Sequence, residues 1–461
     1  MNVILIVVDN LRADHLGIND YSRNTSPNID KIAKEGVFFP VAIPTFPGTT
    51  PSITSLLTGL YPHSHGIRNN DHNNITPGVT SLQEILQSHG YITIGNAIEM
   101  RATDIKKGFH AFNLLRWRIM NKIKRAIKKT INWKYRADTA EILTDFAIKY
   151  IKKLENKKFF LYLHYIGPHW PYDSPKPYNH IFDPHYKGKH TFNKVAESNR
   201  KKIDSFFNKI VDSNKIKRGD LIFNNKLPKE EIDHAIAHYD GSIRYVDFHI
   251  GRLLEYLDNS NLTNNTLIIV CGDHGECFGE HNIYFHHGEG LYDEELKVPL
   301  IMKCSNLPNI RIENQVQLTD VMPTILEILG IPFIEKIEGV SLISQIKENK
   351  VGRKYTFSET GRSFFKQNKR VYFKGIRGKW RMVRSNDWKL IYIPHPGNDI
   401  YELYNLKTDP HEKINLIEKE KKVAEIMKKE LFEWMKDVGS EEESDLTEKS
   451  KRLLQKLGYI E

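Results

Sequence analysis

The chain has 461 residues, of which 40% are hydrophobic, 27% charged and 11% aromatic. Such a composition supports a sizeable core, either one large α/β domain with an appendage or two to three domains, and it excludes a disordered or collagen-like chain. Lys plus Arg outnumber Asp plus Glu by 67 to 57, and the resulting net charge of +10 suits an anionic substrate, a membrane surface or nucleic acid without choosing among them. The cysteines Cys271, Cys277 and Cys304 are few and odd in number, which argues against a disulfide framework and for a reducing compartment. The apolar start at Val3–Val8 runs straight into Asp9, too short for a secretory signal, and no run approaches the ~18 apolar residues of a membrane span. These features predict a cytoplasmic protein that is still able to sit peripherally at a membrane.

Val3–Val8 reads as a strand covered on both faces. Ser26-Pro27 opens a short helix, with Ser as N-cap and Pro at its first position, and Gly36 closes it. Tyr91–Gly95 and Phe159–Leu163 read as buried strands, and Asp138–Leu154 has helical periodicity. Residues 179–228 are polar and irregular, an insertion or lid. Glu230–Leu257 reads as one long helix or as two abutting ones broken at Gly241. Leu267–Cys271 and Val298–Met302 are further strands, and Asp320–Leu329 is a helix closed by Gly330. Strand and helix alternate over residues 1–340, which predicts an α/β domain with a large, mostly parallel sheet flanked by helices. Over 341–461, the segments Tyr372–Gly375, Arg381–Arg384 and Leu390–Ile393 predict a smaller antiparallel sheet, followed by a Lys/Glu-rich helix over Glu418–Asp437.

Residues 111–137 contain no acid. Leu115, Ile119, Ile123, Ile127 and Ile131 recur every four residues among nine Lys and Arg. This is the pattern of a basic amphipathic helix that lies on anionic lipid, and equally of a solvated helix packed on the sheet or one that holds a polyanionic glycan.

Three positions carry candidate chemistry. Asp9 ends the first strand, Asp273-His274 follows the Leu267–Cys271 strand, and Thr49 stands just before a helical stretch that closes at Gly59. In an open parallel sheet, functional groups gather at the carboxyl ends of strands. Two carboxylates and an imidazole make a divalent-metal set, and a hydroxyl beside them can serve as nucleophile. A helix start also favours an anionic group. Singly, each position is just as well a cap or a turn residue.

Taken in order, the motifs resemble the sulfatase family of the alkaline phosphatase superfamily. Val7-Val8-Asp9-Asn10-Leu11-Arg12-Ala13-Asp14 resembles the first metal-binding segment. Thr25-Ser26-Pro27-Asn28-Ile29-Asp30 through Gly36-Val37-Phe38-Phe39 is similar to the stretch that follows it in family members. Thr49-Thr50-Pro51-Ser52 with Thr58-Gly59-Leu60-Tyr61-Pro62-His63 resembles the nucleophile signature, and Gly167-Pro168-His169-Trp170-Pro171-Tyr172 the histidine loop. Gly272-Asp273-His274-Gly275-Glu276 with Gly279-Glu280-His281 resembles the second metal segment, and Glu402-Leu403-Tyr404-Asn405-Leu406 with Asp409-Pro410 the C-terminal ending. The resemblance implies the alkaline-phosphatase/sulfatase-like fold and a metal-dependent hydrolase or transferase.

The departures carry the functional expectation. Where the family has a Cys or Ser matured to formylglycine and then an Arg, this chain has Thr49 and Ile53. The family's sulfate-binding Lys is missing near Gly95-Asn96, Asp9-Asn10 replaces the usual Asp-Asp, and Asp273-His274 replaces Asp-Asn. No formylglycine is expected. The resemblance then implies one divalent metal ion, zinc or manganese in preference to calcium or magnesium because of the imidazole ligand, with a second metal left open. Asp9, Asn10, Thr49, Asp273 and His274 would hold it. A metal-activated Thr49 can attack phosphorus, so the first expectation is a phosphate-type ester: phosphodiester, phosphomonoester or phosphonate. His169 and His287 would protonate the leaving group or bind a nonbridging oxygen of the anion, His287 alternatively completing a second metal site, with a hydrogen-bonded loop histidine as the plain alternative. Asn70 and Arg12 are candidate substrate-binding residues. Lys389 is expected on the C-terminal sheet, and Cys271 and Cys277 in the core. The substrate is expected to be an anionic ester, lipid- or glycan-linked among the options. Two rivals stand: a sulfuric ester hydrolase that works without formylglycine, and a noncatalytic relative that binds an anionic glycan or lipid. No motif supports nucleic-acid binding.

Overall fold

The apolar run at the start of the chain becomes β1 (Asn2–Val8), every residue of it buried. The computed structural model describes residues 1–70, 74–97, 104–114, 139–154, 157–188, 227–288, 290–332, 337–348, 350–360, 365–366, 369–370, 379–393 and 399–436. The strands that follow are β2 (Val37–Ile43), β3 (Ile92–Ala97), β4 (Ala111–Leu114), β5 (Phe159–Tyr165), β6 (Thr266–Gly272), β7 (Cys277–Phe278), β8 (Tyr284–His286), β9 (Val298–Lys303), β10 (Ile310–Arg311) and β11 (Val316–Gln317).

The main sheet has the order β10-β2-β9-β6-β1-β5-β3-β4, with β11 also paired to β2. β1 is central and parallel to both neighbours, so that Val7 lies opposite His164 on β5 and Cys271 on β6. β9 alone runs antiparallel to its partners β6 and β2 within the described sheet. Alternation splits β1 between two apolar layers: Val3, Leu5 and Val7 face one, Ile4, Ile6 and Val8 the other. Helices α1 (Pro27–Lys34), α2 (Thr49–Thr58), α3 (Thr139–Lys153) and α4 (Lys229–Asn259) flank the sheet. Ile53, Leu56 and Leu57 of α2 pack on the first layer, and α3 and α4 on the second. The mostly parallel α/β sheet read from the sequence is therefore present.

The smaller sheet is antiparallel, with strands Thr356–Glu359, Arg381–Arg384, Trp388–Ile393 and Ile400–Asn405 in that order. A terminal helix, α5 (Lys421–Lys436), covers it through Ala424, Met427 and Leu431.

Some expectations shift. Of the two readings of Glu230–Leu257, the single long helix is the one observed: α4 is continuous through Gly241. A Cβ at Gly241 would stand 2.1 Å from the carbonyl oxygen of Tyr178, so the glycine permits a close chain crossing. The strand expected at Tyr91–Gly95 begins and ends later, as β3. Residues 111–114, placed at the start of the basic helical segment, form the edge strand β4. The rest of that segment, residues 115–138, lies outside the described residues, as do 189–226 of the insertion and the Tyr372–Gly375 strand. Among the described residues no helix is long and apolar enough to cross a membrane.

Candidate active site

The site is assembled from loops at the carboxyl ends of β1, β5 and β6 and from the start of α2. Asp9 follows β1 directly and its N–H donates to the Tyr165 carbonyl (2.9 Å), which locks the loop to β5. Asp273 follows β6 and is fully buried. Its Oδ1 accepts two main-chain N–H groups, from Asn10 (3.1 Å) and His274 (2.9 Å). That leaves Oδ2 buried with no hydrogen-bond partner, although a buried carboxylate oxygen is costly to leave unsatisfied.

His274 is also fully buried. Its Nδ1 donates to the Gly275 carbonyl (3.0 Å), an acceptor only, so in the neutral ring Nε2 carries the lone pair. Nε2 lies 3.4 Å from Asp9 Oδ1, 3.6 Å from Asp273 Oδ2 and 3.2 Å from Thr49 Oγ1. The expected residues Asp9, Asp273, His274 and Thr49 are thus brought together. Asn10 joins them: its Nδ2 donates to Glu276 Oε2 (2.6 Å), and its buried Oδ1 has no hydrogen-bond partner. Asn10 adopts a left-handed backbone (φ 61°), a conformation asparagine tolerates better than most residues.

The structure adds His164, which the sequence reading passed over. It is the sixth residue of β5, and its Nε2 is 3.9 Å from Asp9 Oδ2 and 3.8 Å from Asp273 Oδ2. Asp9, His164 and Asp273 each offer one ligand atom, all within 4.8 Å of one another. Burial pushes the His164 imidazole down towards its neutral form, outweighing the pull of Asp273. Neutral imidazole is the ligand form, and carboxylate-plus-imidazole donors fit a divalent transition metal.

Glu276 was likewise missed. It is fully buried and accepts from Asn10 Nδ2 and, at 3.2 Å, from His287 Nδ1. In the neutral ring that bond places the His287 lone pair on Nε2. The His287 ring stands 4.3 Å from that of His274 and 5.2 Å from that of His169, centre to centre. His169 Nδ1 donates to the Trp170 carbonyl (2.7 Å). The two candidate proton carriers are therefore neighbours on one side of the metal-type cluster.

Thr49 opens α2, where main-chain N–H groups lack helical partners. One of them, Thr50 N–H, is accepted by Asn70 Oδ1 (3.0 Å). A Cβ at Gly48 would stand 3.1 Å from Asn70 Nδ2, so glycine there lets the amide reach the helix start. Ser52 ties α2 to the β6 loop by donating to the Asp273 carbonyl (2.7 Å).

Arg12 does not fit the anion-clamp expectation. Its Nε and Nη2 donate to Asp14 (3.0 and 2.7 Å), and its Nη1 to the Glu276 carbonyl (3.0 Å) and Glu280 Oε1 (2.9 Å). With those bonds made and the residue only 5% exposed, no fork is left for a substrate; the guanidinium braces the loop that carries Glu276. Cys271 and Cys277 are buried core thiols, as expected, and Lys389 lies on the C-terminal sheet, fully buried.

Residues 1–331 match the family model described as sulfatase. The chain belongs to the sulfatase family. Residues 279–438 also match the model of the C-terminal region of N-sulphoglucosamine sulphohydrolase. Among curated proteins, an arylsulfatase of Clostridium perfringens is 27% identical over 470 residues, covering 91% of this chain and 90% of the relative. A multifunctional alkaline phosphatase superfamily protein of Trinickia caryophylli is 28% identical and covers 76% of this chain and 77% of its own length. Among solved structures, a phosphonate monoester hydrolase from Silicibacter pomeroyi superposes with a TM-score of 0.73 at 20% identity, over 97% of this chain and 98% of that one, a likeness of fold. This sulfatase-family chain is accordingly a hydrolase of the superfamily by descent.

Proposed function

We propose that this chain is a metal-dependent hydrolase or transferase of a phosphate-type ester (phosphodiester, phosphomonoester or phosphonate) with Thr49 as nucleophile. One observation carries the reading: the Thr49 hydroxyl lies 3.2 Å from the lone-pair nitrogen of His274, at the start of a helix and beside two buried carboxylates. A threonine cannot be the usual formylglycine precursor, but its hydroxyl can attack phosphorus directly.

Asp9, Asn10, Asp273, His274, Thr49 and His164 would hold the divalent ion, with zinc or manganese favoured by the two imidazoles. Bound there, it would supply positive charge that eases deprotonation of the hydroxyl and offsets charge on the phosphoryl oxygens. Thr49 Oγ1 forms the bond to phosphorus, its proton leaving to solvent, while the bond to the leaving oxygen breaks. His169 or His287 gives that oxygen its proton. Water, or an alcohol acceptor in a transfer, then attacks the phospho-threonine and restores the hydroxyl. Asn70 orients the helix start beside the reacting group. The three separate buried thiols favour a reducing, cytoplasmic setting.

The arylsulfatase relative supports a second reading, sulfate-ester hydrolysis on the same residues. One comparison separates them. Full-length protein reloaded with zinc, manganese, magnesium or calcium is assayed on nitrophenyl phosphate, alkyl phosphate, phosphonate and sulfate, beside Thr49→Ala. Turnover of a phosphorus ester that Thr49→Ala abolishes is the expected result. Turnover of the sulfate alone would reverse the assignment, and metal binding without turnover of any ester would favour the noncatalytic rival.

A further inference from the structure

Away from the active site, a second group of ligand-type side chains meets where the catalytic sheet joins the C-terminal one. His281 lies in the loop between β7 and β8, Glu294 just before β9, and Glu412 in the turn that follows Ile400–Asn405. One ligand atom from each lies within 4.8 Å of the others. His281 Nε2 and Glu294 Oε2 are 3.5 Å apart, and both are buried without a hydrogen-bond partner. The Glu294 residue is 6% exposed and Glu412 1%.

The neighbours pair with Glu412 but leave His281 Nε2 and Glu294 Oε2 without a hydrogen bond. The His281 ring is stacked flat on Tyr292, with centres 3.5 Å apart and planes within 1°. Glu412 Oε2 accepts the Asp293 N–H (2.6 Å), and its Oε1 faces Lys389. Lys389 reaches Asp293 Oδ1 (2.5 Å) and Glu412 Oε1 (2.8 Å), and Arg384 reaches Asp293 Oδ2 (2.9 Å). Those two cations answer Asp293 and Glu412. Arg12, whose charge Glu294 also feels, spends its N–H groups on Asp14, Glu280 and the Glu276 carbonyl. Glu294 is left as a buried carboxylate oxygen beside an imidazole nitrogen, an arrangement that is costly unless something positive lies between them.

We infer that His281, Glu294 and Glu412 form a structural divalent-metal site, of the zinc class, that fastens the C-terminal sheet to the catalytic loops. One imidazole and two carboxylates supply nitrogen and oxygen donors that a divalent ion accepts, and three protein ligands leave a position for water. The ion would pin the loop whose next residue, Glu280, holds Arg12. This assignment does not depend on the reaction proposed for Thr49.

The test is anomalous X-ray scattering at the zinc edge from crystals of the full chain loaded with zinc, together with zinc stoichiometry in solution. A peak bonded to His281, Glu294 and Glu412 is expected, distinct from any peak at Asp273. Glu294→Gln, which keeps the shape and removes the charge, is expected to bind one zinc equivalent fewer than wild type. If Glu294→Gln does not fold, His281→Asn is measured in its place with the same expectation. No peak at these residues, or equal stoichiometry in wild type and the folded variant, would overturn the inference.

Discussion

The Ser52 hydroxyl donates to the main-chain carbonyl of Asp273 across 2.7 Å, joining the helix that Thr49 opens to the loop that carries Asp273 and His274. Both residues are fully buried. The bond therefore sets the distance from Thr49 to His274 as well as the stability of the join. Ser52→Ala leaves a buried carbonyl without that donor, at a cost of about 1–3 kcal/mol. A lower melting temperature is expected, together with a fall in kcat larger than any rise in KM. An unchanged kcat in the folded variant would show that the helix is positioned by other contacts.

His164 is expected to matter for metal retention. His164→Ala removes an imidazole that faces both Asp9 and Asp273. Zinc or manganese affinity should fall by about 10-fold or more, by analogy with the loss of a group that tunes a metal site. Metal titration followed by calorimetry measures this, and equal affinity in wild type and variant would remove His164 from the ligand set.

Glu276 acts through others. It accepts from Asn10 and from His287 at once, which a carboxylate can do with its two oxygens and an amide cannot. Glu276→Gln turns one bond into a donor–donor clash. The expected result is a loss of about 10- to 100-fold in kcat, with the acid limb of the pH–rate profile displaced. A drop in kcat with an unmoved profile would assign Glu276 to holding Asn10 alone.

The C-terminal sheet supplies a pH-dependent element of stability. Glu359 accepts from Arg68 Nε (2.9 Å), Arg68 Nη2 (2.5 Å) and Lys379 Nζ (3.2 Å), with Arg381 at 3.9 Å. Burial alone would raise its carboxyl, but Arg68 and Lys379 outweigh burial and hold it far below the usual range. With a depressed folded-state value the stabilisation is fully present above the unfolded value of about 4.3 and is lost progressively as pH falls from there through the folded value. Glu359→Gln should cost about 3–5 kcal/mol at neutral pH, since it strands buried cations. Denaturant melts should show the gap from wild type narrowing below about pH 4. A gap independent of pH would mean that shape, with no part for charge, sets the cost.

Much of this was legible in the sequence because strand ends and helix starts are local signals. Asp9 and Asp273 each terminate an apolar run, and Thr49 stands between a glycine and a helical stretch, so their residue types and positions together announce them. His164 gave no such sign. It lies inside a strand, and its proximity to Asp9 follows only from the pairing of β5 with β1. Arg12 misled for the complementary reason: its place beside Asp9 suggested an anion clamp, but the acceptors that consume it, Asp14, Glu276 and Glu280, include residues more than 260 positions away. Gly241 left one helix or two open, because the chain that crosses it at Tyr178, which explains the glycine, is invisible to helical periodicity.

The position of β1 at the centre of the sheet also governs how the protein is made. β1 leaves the ribosome well before either of its two partners, since β5 begins at Phe159 and β6 at Thr266. Until both are synthesised, an apolar strand with two open edges waits in a nascent chain, exposed to wrong pairings. Asn10 and Asp273, 263 residues apart, meet only when that wait is over. A truncated or stalled chain is therefore expected to hold no part of the pocket in working form, and folding is expected to be slow for a protein of this size because closure of so long a loop precedes the contacts that reward it.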